Sequence, residues 1–289
     1  MALSIHTNYS SMITQTNLNK TNTALGINQQ RLGTGLRINS AADDSAGLQI
    51  ATRLNAQSRG METAMRNVSD ASSLLQTADG AFGEMTDIVQ RMKDLATQSA
   101  NGTNSQADRD SLQTEYDELG KELDNIMSNT SYAGEALFSN DGTTGKFSNP
   151  VNFQIGASSN EQLNLDVSNE VLSLATAVSG VSAAYNGAAG TEISTGSNAS
   201  ATINDLTAVL DEIGSLRGQY GANINRLNHT ANNLANMKDN TDMARGRIMD
   251  ADFAAESASM SKNSMLLQSG ISMLKQTGQM PSMVMSLLG

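Results

Sequence analysis

The sequence predicts a mainly α fold: a hairpin-shaped molecule of long, coiled-coil-like helices drawn from both chain ends, with a small β-hairpin region. Three observations carry that expectation. Apolar residues recur at alternating spacings of three and four over long stretches, which keeps them on one stripe of a helix. The stretches before and after residues 180–199 match in outward and return order. Between residues 137 and 168 the period drops to two. Composition agrees, with no Trp, two Pro and sixteen Met beside five Phe and five Tyr. Compact or unbranched side chains of this kind mesh well between helices that cross at small angles.

Taken in order, residues 1–44 carry Leu18, Leu25, Leu32 and Leu36 on one narrow stripe. Residues 45–179 open with the stripe Val68, Ala71, Leu75, Ala78, Phe82, Met85, Val89, Met92 and Ala96, which stops at the turn-forming Asn101-Gly102. A second helix follows, with Leu112, Tyr116, Leu119, Leu123 and Ile126 on one face and Asp108 or Asp110 as its starting cap. The two read as an antiparallel pair. Val151, Phe153 and Ile155, then Leu163, Leu165 and Val167, alternate with polar residues around the turn segment Gly156 to Glu161, which predicts a hairpin with one buried face. A short helix is expected near Val171 to Val178.

Residues 180–199 are mostly Gly, Ala, Ser, Thr and Asn and are expected to form a surface tip where the chain turns round. Residues 200–249 hold one long helix with the stripe Ile203, Leu206, Leu210, Ile213, Arg217, Tyr220, Ile224, Leu227, Ala231 and Leu234, interrupted only by Arg217, about 47 Å of rod. Residues 250–289 close with the heptad Phe253, Met260, Leu267, Leu274, reinforced by Ile271. Each terminal segment is too narrow-faced to stand alone, so the two are expected to pair.

Charge narrows the function. With 18 basic and 29 acidic residues, the net of −11 repels nucleic-acid phosphate and anionic lipid. No run approaches the roughly 20 apolar residues of a membrane span, and no secretory signal precedes the first helix. Without cysteine there is no disulfide and no thiolate metal site. His6 and His229 stand far apart in ordinary surroundings, Gly33-Thr34-Gly35 lacks the third glycine of a dinucleotide loop, and Asp43-Asp44 reads as a helix cap before a cation site. Neither a catalytic group nor a cofactor is expected. The Met-rich run from Met273 to Met285 reads either as an adaptable binding face or as plain bundle core.

Several blocks resemble a known family. Leu32-Gly33-Thr34-Gly35-Leu36-Arg37-Ile38-Asn39-Ser40-Ala41-Ala42-Asp43-Asp44-Ser45-Ala46-Gly47-Leu48-Gln49-Ile50 is similar to the N-terminal signature of bacterial flagellins. Gln98 to Gly102 with Asp108-Arg109, Ile248 to Ala254, the opening Met1-Ala2 with Ile5, Thr7 and Asn8, and the closing Ser286-Leu287-Leu288 resemble further flagellin segments in the same order. The resemblance covers roughly residues 1–179 and 200–289. It implies a short flagellin lacking large outer domains and forming a thin filament. The methionine-rich end either tunes inner packing or marks a secondary or lateral form.

In that resemblance, residues 1–44 and 250–289 are the two halves of an inner coiled-coil domain, and 45–179 with 200–249 form an outer-core rod. It implies an exported, extracellular subunit that polymerises into the flagellar filament for motility. The implied polymerisation residues are Leu18, Leu25, Leu32, Leu36, Arg37, Phe253, Met260, Leu267, Ile271, Leu274, Leu287 and Leu288. The implied partners are other copies of the chain, the flagellar cap protein, the hook-filament junction protein, an export chaperone and the host's flagellin-sensing Toll-like receptor. For that receptor the matching residues, expected on the surface, are Arg91, Leu95 and Glu115. A junction adaptor with flagellin-like ends is the rival reading, separated by whether the chain forms long homopolymers.

Overall fold

A computed structural model of the chain describes residues 8–288, with side chains described for residues 8–279. Six α-helices dominate it: α1 Tyr9–Thr34, α2 Ser45–Ala100, α3 Gln106–Asn129, α4 Ser168–Val181, α5 Gly196–Met249 and α6 Phe253–Leu288. Two small antiparallel hairpins lie between α3 and α4, β1 Ser131–Tyr132 with β2 Glu135–Ala136, and β3 Val151–Gln154 with β4 Gln162–Leu165. The chain divides into two compact units, one of Arg59–Lys238 and one of the described residues of Met1–Ser58 and Asp239–Gly289.

The Arg59–Lys238 unit has a continuous apolar core. Every residue of the stripe from Val68 to Ala96 is buried, and Met61 and Ala64 extend it one turn earlier. At Asn101-Gly102 the chain turns and comes back antiparallel, with Arg91 meeting Glu115 and the Ser99 carbonyl accepting from Arg109. The Arg109 guanidinium also reaches the carbonyls of Asn101 and Asn104, bracing the turn. The cap of α3 is Ser105, not Asp108 or Asp110. The Ser105 hydroxyl accepts from Asp108 N–H and the Asp108 carboxylate accepts from Ser105 N–H, a reciprocal capping box. The Ser105 hydroxyl also donates to the Asp108 carboxylate at 2.6 Å, and this bond, with that from the Ser105 N–H, holds the Asp108 carboxyl below its usual range.

The alternating segment forms the expected hairpin, with Val151 opposite Leu165 and Phe153 opposite Leu163. Leu163, Leu165 and Val167 are buried, whereas Val151, Phe153 and Ile155 are half-buried. The β1–β2 turn was not legible in advance. It runs through Ala133 and Gly134, both with left-handed φ of 53° and 86°, as a two-residue hairpin requires.

Scarce aromatic residues are concentrated. Phe82, Phe138, Phe147 and Tyr220 pack with neighbouring ring centroids 4.9 to 5.6 Å apart, joining α2, the loop after β2 and α5. On α5 the buried track runs Leu206, Val209, Ile213, Leu216, Tyr220, so Val209 takes the place of the expected Leu210, and Leu216 fills the step at which Arg217 interrupted the expected stripe. Arg217 instead lies beside the core and pairs with Asp79 at 3.0 Å.

The glycine-rich segment is not a bare surface tip. Ser182, Ala184, Tyr185 and Ile193 are buried within it. Tyr185 donates to the Asn140 carbonyl at 2.8 Å, Ile193 N–H donates to the Gln113 side chain at 2.8 Å, and Ser99 donates to the Ile193 carbonyl. Two apolar side chains and a set of backbone bonds are enough to pin a segment whose average composition has little to bury. Gly120 lets this segment approach α3, because a Cβ there would lie 2.1 Å from the Ser182 hydroxyl.

Candidate assembly interface

In the terminal unit, α1 and α6 lie antiparallel, as the sequence led us to expect. The Asn8 amide donates to the Thr277 carbonyl at 2.8 Å, Leu18 abuts Gly270, and Arg31 pairs with Glu256 at 2.9 Å. At the closed end Leu36 bridges Asp250, Arg37 N–H donates to the Met249 carbonyl at 2.6 Å, and Ala251 N–H donates to the Gly35 carbonyl at 3.0 Å.

Local chemistry fixes each helix end. Asn8 caps α1 by accepting from Ser11 N–H at 3.0 Å, and Gly35 ends it in the left-handed conformation at φ 73°. The Gly33-Thr34-Gly35 sequence is thus a helix stop. Asp44 accepts from Gly47 N–H at 2.8 Å at the start of α2. Asp43 accepts from Ser40 N–H at 2.8 Å, from Asn39 N–H at 3.1 Å and from the Ser40 hydroxyl, which holds its carboxyl below the usual 3.8. Both aspartates therefore serve the backbone. Gly47 is needed there, since a Cβ would lie 2.5 Å from the Asp44 carboxylate and 2.9 Å from Ile38.

The seam between α1 and α6 is half polar. Reduced exposure recurs on α1 at Ser11, Thr14, Leu18, Thr21, Leu25, Asn28 and Leu32, and on α6 at Glu256, Met260, Asn263, Leu267, Gly270, Leu274 and Thr277. A stable two-helix coil wants both stripe positions of each heptad apolar, and here at least one of the two is Ser, Thr, Asn, Gly or Glu. Ordering a residue costs about 1–2 kcal/mol of backbone entropy, against about 1.5–3 kcal/mol for a fully buried leucine. One half-buried leucine or methionine per seven residues does not close that gap.

The expected polymerisation residues therefore fall into two groups. Leu18, Leu25, Leu32, Leu36, Met260, Leu267 and Leu274 are half-buried, and all but Leu36 lie on the seam stripes where α1 and α6 meet within the chain. Arg37 is exposed, and its guanidinium donates to the Ile248 carbonyl at 2.8 Å, so it braces the closed end. Phe253 and Ile271 do face outward, 57% and 42% exposed. The side chains of Leu287 and Leu288 lie outside the described residues, as do Met1, Ala2, Ile5, His6 and Thr7. Tyr9, Met12, Ile13, Ile27, Met265, Leu266 and Met273 are exposed apolar residues that the heptad search did not select, because they lie off its stripe. Among the described residues, eleven of thirteen exposed large hydrophobic side chains belong to the terminal unit. The buried apolar cluster belongs wholly to Arg59–Lys238.

The second expected site lies on α2 and α3. Arg91 and Glu115 are exposed and joined at 2.6 Å. Leu95 is only 1% exposed and belongs to the core, contrary to expectation. The buried strip of α2 is broader than a single stripe, because α3 and the elements beyond it pack on its flank as well, and Leu74 and Leu95 sit in that added width. Among the described residues no acidic or histidine cluster could hold a metal ion, and no helix is long and apolar enough to cross a membrane.

Comparison with known proteins gives the same outline. The bacterial flagellin N-terminal helical region matches residues 5–143, and the bacterial flagellin C-terminal helical region matches residues 203–288. Flagellin A of Vibrio anguillarum is 35% identical over the whole of both chains, and polar flagellin C of Vibrio parahaemolyticus is 32% identical, again over the whole of both. The first of these alignments spans 384 positions against 289 residues here, so 95 positions have no residue in this chain. Among solved structures, a putative flagellar hook-associated protein from Vibrio parahaemolyticus shares the fold at TM-score 0.55 and 14% identity, covering 72% of this chain and all of that one.

Proposed function

We infer that this chain, which belongs to the bacterial flagellin family, polymerises through the outward apolar faces of α1 and α6. Flagellins are structural proteins, so the chain is a filament subunit and not an enzyme, and the filament it builds is extracellular. The observation that carries the interface is the segregation of exposed apolar side chains, Tyr9, Met12, Ile13, Phe253, Met265, Leu266, Ile271 and Met273 among them, on a helix pair whose own seam is half polar. Against neighbouring subunits those side chains leave water, at about 25 cal/mol per Å². The seam residues from Leu18 to Leu32 and from Met260 to Leu274 act beneath them by setting the register of the pair. Head-to-tail contacts of this sort do not close, and the product is an open helical polymer.

The span between the two matched regions, residues 144–202, is short, and the 95 alignment positions without a residue here support a thin filament lacking large outer domains. We assign export to the flagellar type III apparatus after a brief cytoplasmic stage, supported by a terminal unit that is easily unravelled and by the lack of cysteine and tryptophan. The cap protein, the junction protein and an export chaperone are partners by the same family reasoning. Recognition by the flagellin-sensing Toll-like receptor would fall on Arg91 and Glu115, with Leu95 acting from beneath. No response of receptor-reporter cells to saturating purified monomer would remove that role.

Seeded assembly of purified monomer, read by sedimentation and negative-stain microscopy, tests the main reading. Long uniform filaments are expected. Monomers that persist beside competent seeds would move the chain to a junction adaptor.

A further inference from the structure

Sulfur is distributed unevenly in this molecule. There is no cysteine, and sixteen methionines carry all the thioethers. In the Arg59–Lys238 unit, Met61, Met85, Met92 and Met127 are fully buried in the apolar cluster. In the terminal unit, Met12, Met243, Met265 and Met273 are each more than half exposed. Asn8 meets Thr277 in an antiparallel pair, so Met12, one turn further along α1, and Met273, one turn back along α6, lie at the same level. Tyr9 and Ile13 on α1 and Ile271 on α6 are exposed as well.

An exposed thioether is open to peroxide, whereas one packed in a core is not. Oxidation converts a flexible apolar side chain into a polar, chiral sulfoxide, and the two methionine sulfoxide reductases undo it, one for each epimer. We propose that Met12, Met265 and Met273 form a reversible oxidation site on the assembly face, through which hydrogen peroxide switches the subunit between polymerising and non-polymerising forms. In the step itself the sulfur lone pair attacks one peroxide oxygen, the O–O bond breaks, an S–O bond forms and the other oxygen leaves as water. The sulfur loses two electrons and the peroxide is reduced. The reverse step draws two electrons from a dithiol and releases water.

This rests on the assembly reading above and adds to it a direction. The free subunit is sensitive and the filament is protected, because neighbouring subunits cover the same thioethers.

The test is mild hydrogen peroxide treatment of purified full-length monomer, with oxidised positions located by mass spectrometry, followed by seeded assembly. Oxidation is expected at Met12, Met265 and Met273 well before Met61, Met85, Met92 or Met127. The critical concentration for assembly should rise about tenfold or more, the loss of buried methionine surface being converted to a ratio, while the melting of the Arg59–Lys238 unit stays unchanged. The reductases with dithiothreitol should restore assembly, and the triple variant M12L/M265L/M273L, whatever critical concentration its altered interface gives it untreated, should show no further rise on peroxide treatment. If that variant folds poorly, reductase rescue of the unaltered chain still decides. Monomer oxidised at all three positions that assembles at its former critical concentration overturns the proposal, as does a variant as sensitive as the parent. Untreated monomer that fails to assemble overturns the underlying assembly reading, and the proposal with it.

Discussion

In the Arg59–Lys238 unit the three-four spacing places Val68, Leu75, Phe82, Val89 and Met92 wholly inside, whereas in α1 and α6 the same spacing places Thr14, Thr21, Asn28, Asn263 and Thr277 among the leucines. The periodicity is shared and the chemistry is not. One unit satisfies its apolar surface internally, and the other leaves Tyr9, Met12, Phe253, Met265 and Met273 in water. A subunit that must remain soluble alone and adhere to its own kind needs both arrangements. A fully apolar seam in α1 and α6 would let the pair bury itself as an ordinary coiled coil, with less left for the neighbour.

The largest test of this contrast is truncation. Deleting Ser264 to Gly289 should abolish sedimentable filaments altogether while leaving the helical melting transition of Arg59–Lys238 in place; filaments from the truncated chain would refute the division. Next come two core-sized truncations of opposite consequence. Phe82→Ala removes a ring packed against Phe138 and Tyr220 and should cost about 3–5 kcal/mol in urea unfolding. Leu267→Ala, half-buried in the seam, should shift that transition by less than about 1 kcal/mol yet weaken assembly.

Alkaline pH gives a third way to separate the units. Burial pushes the phenols of Tyr116, Tyr185 and Tyr220 well above their usual 10.0, with Glu192 adding to the effect on Tyr116, Asp124 on Tyr185 and Glu170 on Tyr220. A raised folded-state value means that their contribution is complete below the unfolded value near pH 10 and is lost as pH climbs above it. Chemical denaturation of Arg59–Lys238 should therefore be flat from pH 8 to 9 and fall steeply beyond about pH 10. The smallest effect concerns Tyr220, whose buried hydroxyl has no hydrogen-bond partner among the described residues. Tyr220→Phe should be neutral or stabilising by up to about 1 kcal/mol, because it removes an unsatisfied polar group and leaves the ring. A loss beyond about 1 kcal/mol would show that the hydroxyl is satisfied.

How far the sequence spoke depended on which physical term dominated. The α2 stripe was legible residue by residue, since every position is decided by burial alone. On α5 two adjacent tracks fit the spacing equally well, and only packing chose Val209 and Leu216 over Leu210 and Arg217. Leu95 was misplaced for a similar reason, because one stripe underestimates a helix packed on its flank as well. The glycine-rich segment was misread because its order comes from Tyr185, Ile193 and hydrogen bonds to Gln113 and Ser99, which composition averages away. For the interface, heptad leucines gave the seam between α1 and α6. The outward residues Tyr9, Met12, Met265 and Met273 carry no periodic signal, and only exposure in the folded chain distinguishes them.

Hydrogen–deuterium exchange on monomer and on filament, compared peptide by peptide, bears most directly on the division between the two units. Amides of α1 and α6 should exchange within seconds in the monomer and become strongly protected in the filament, while those of Val68 to Ala96 stay protected in both. Terminal-helix amides as protected in the free monomer as those of α2 would contradict it.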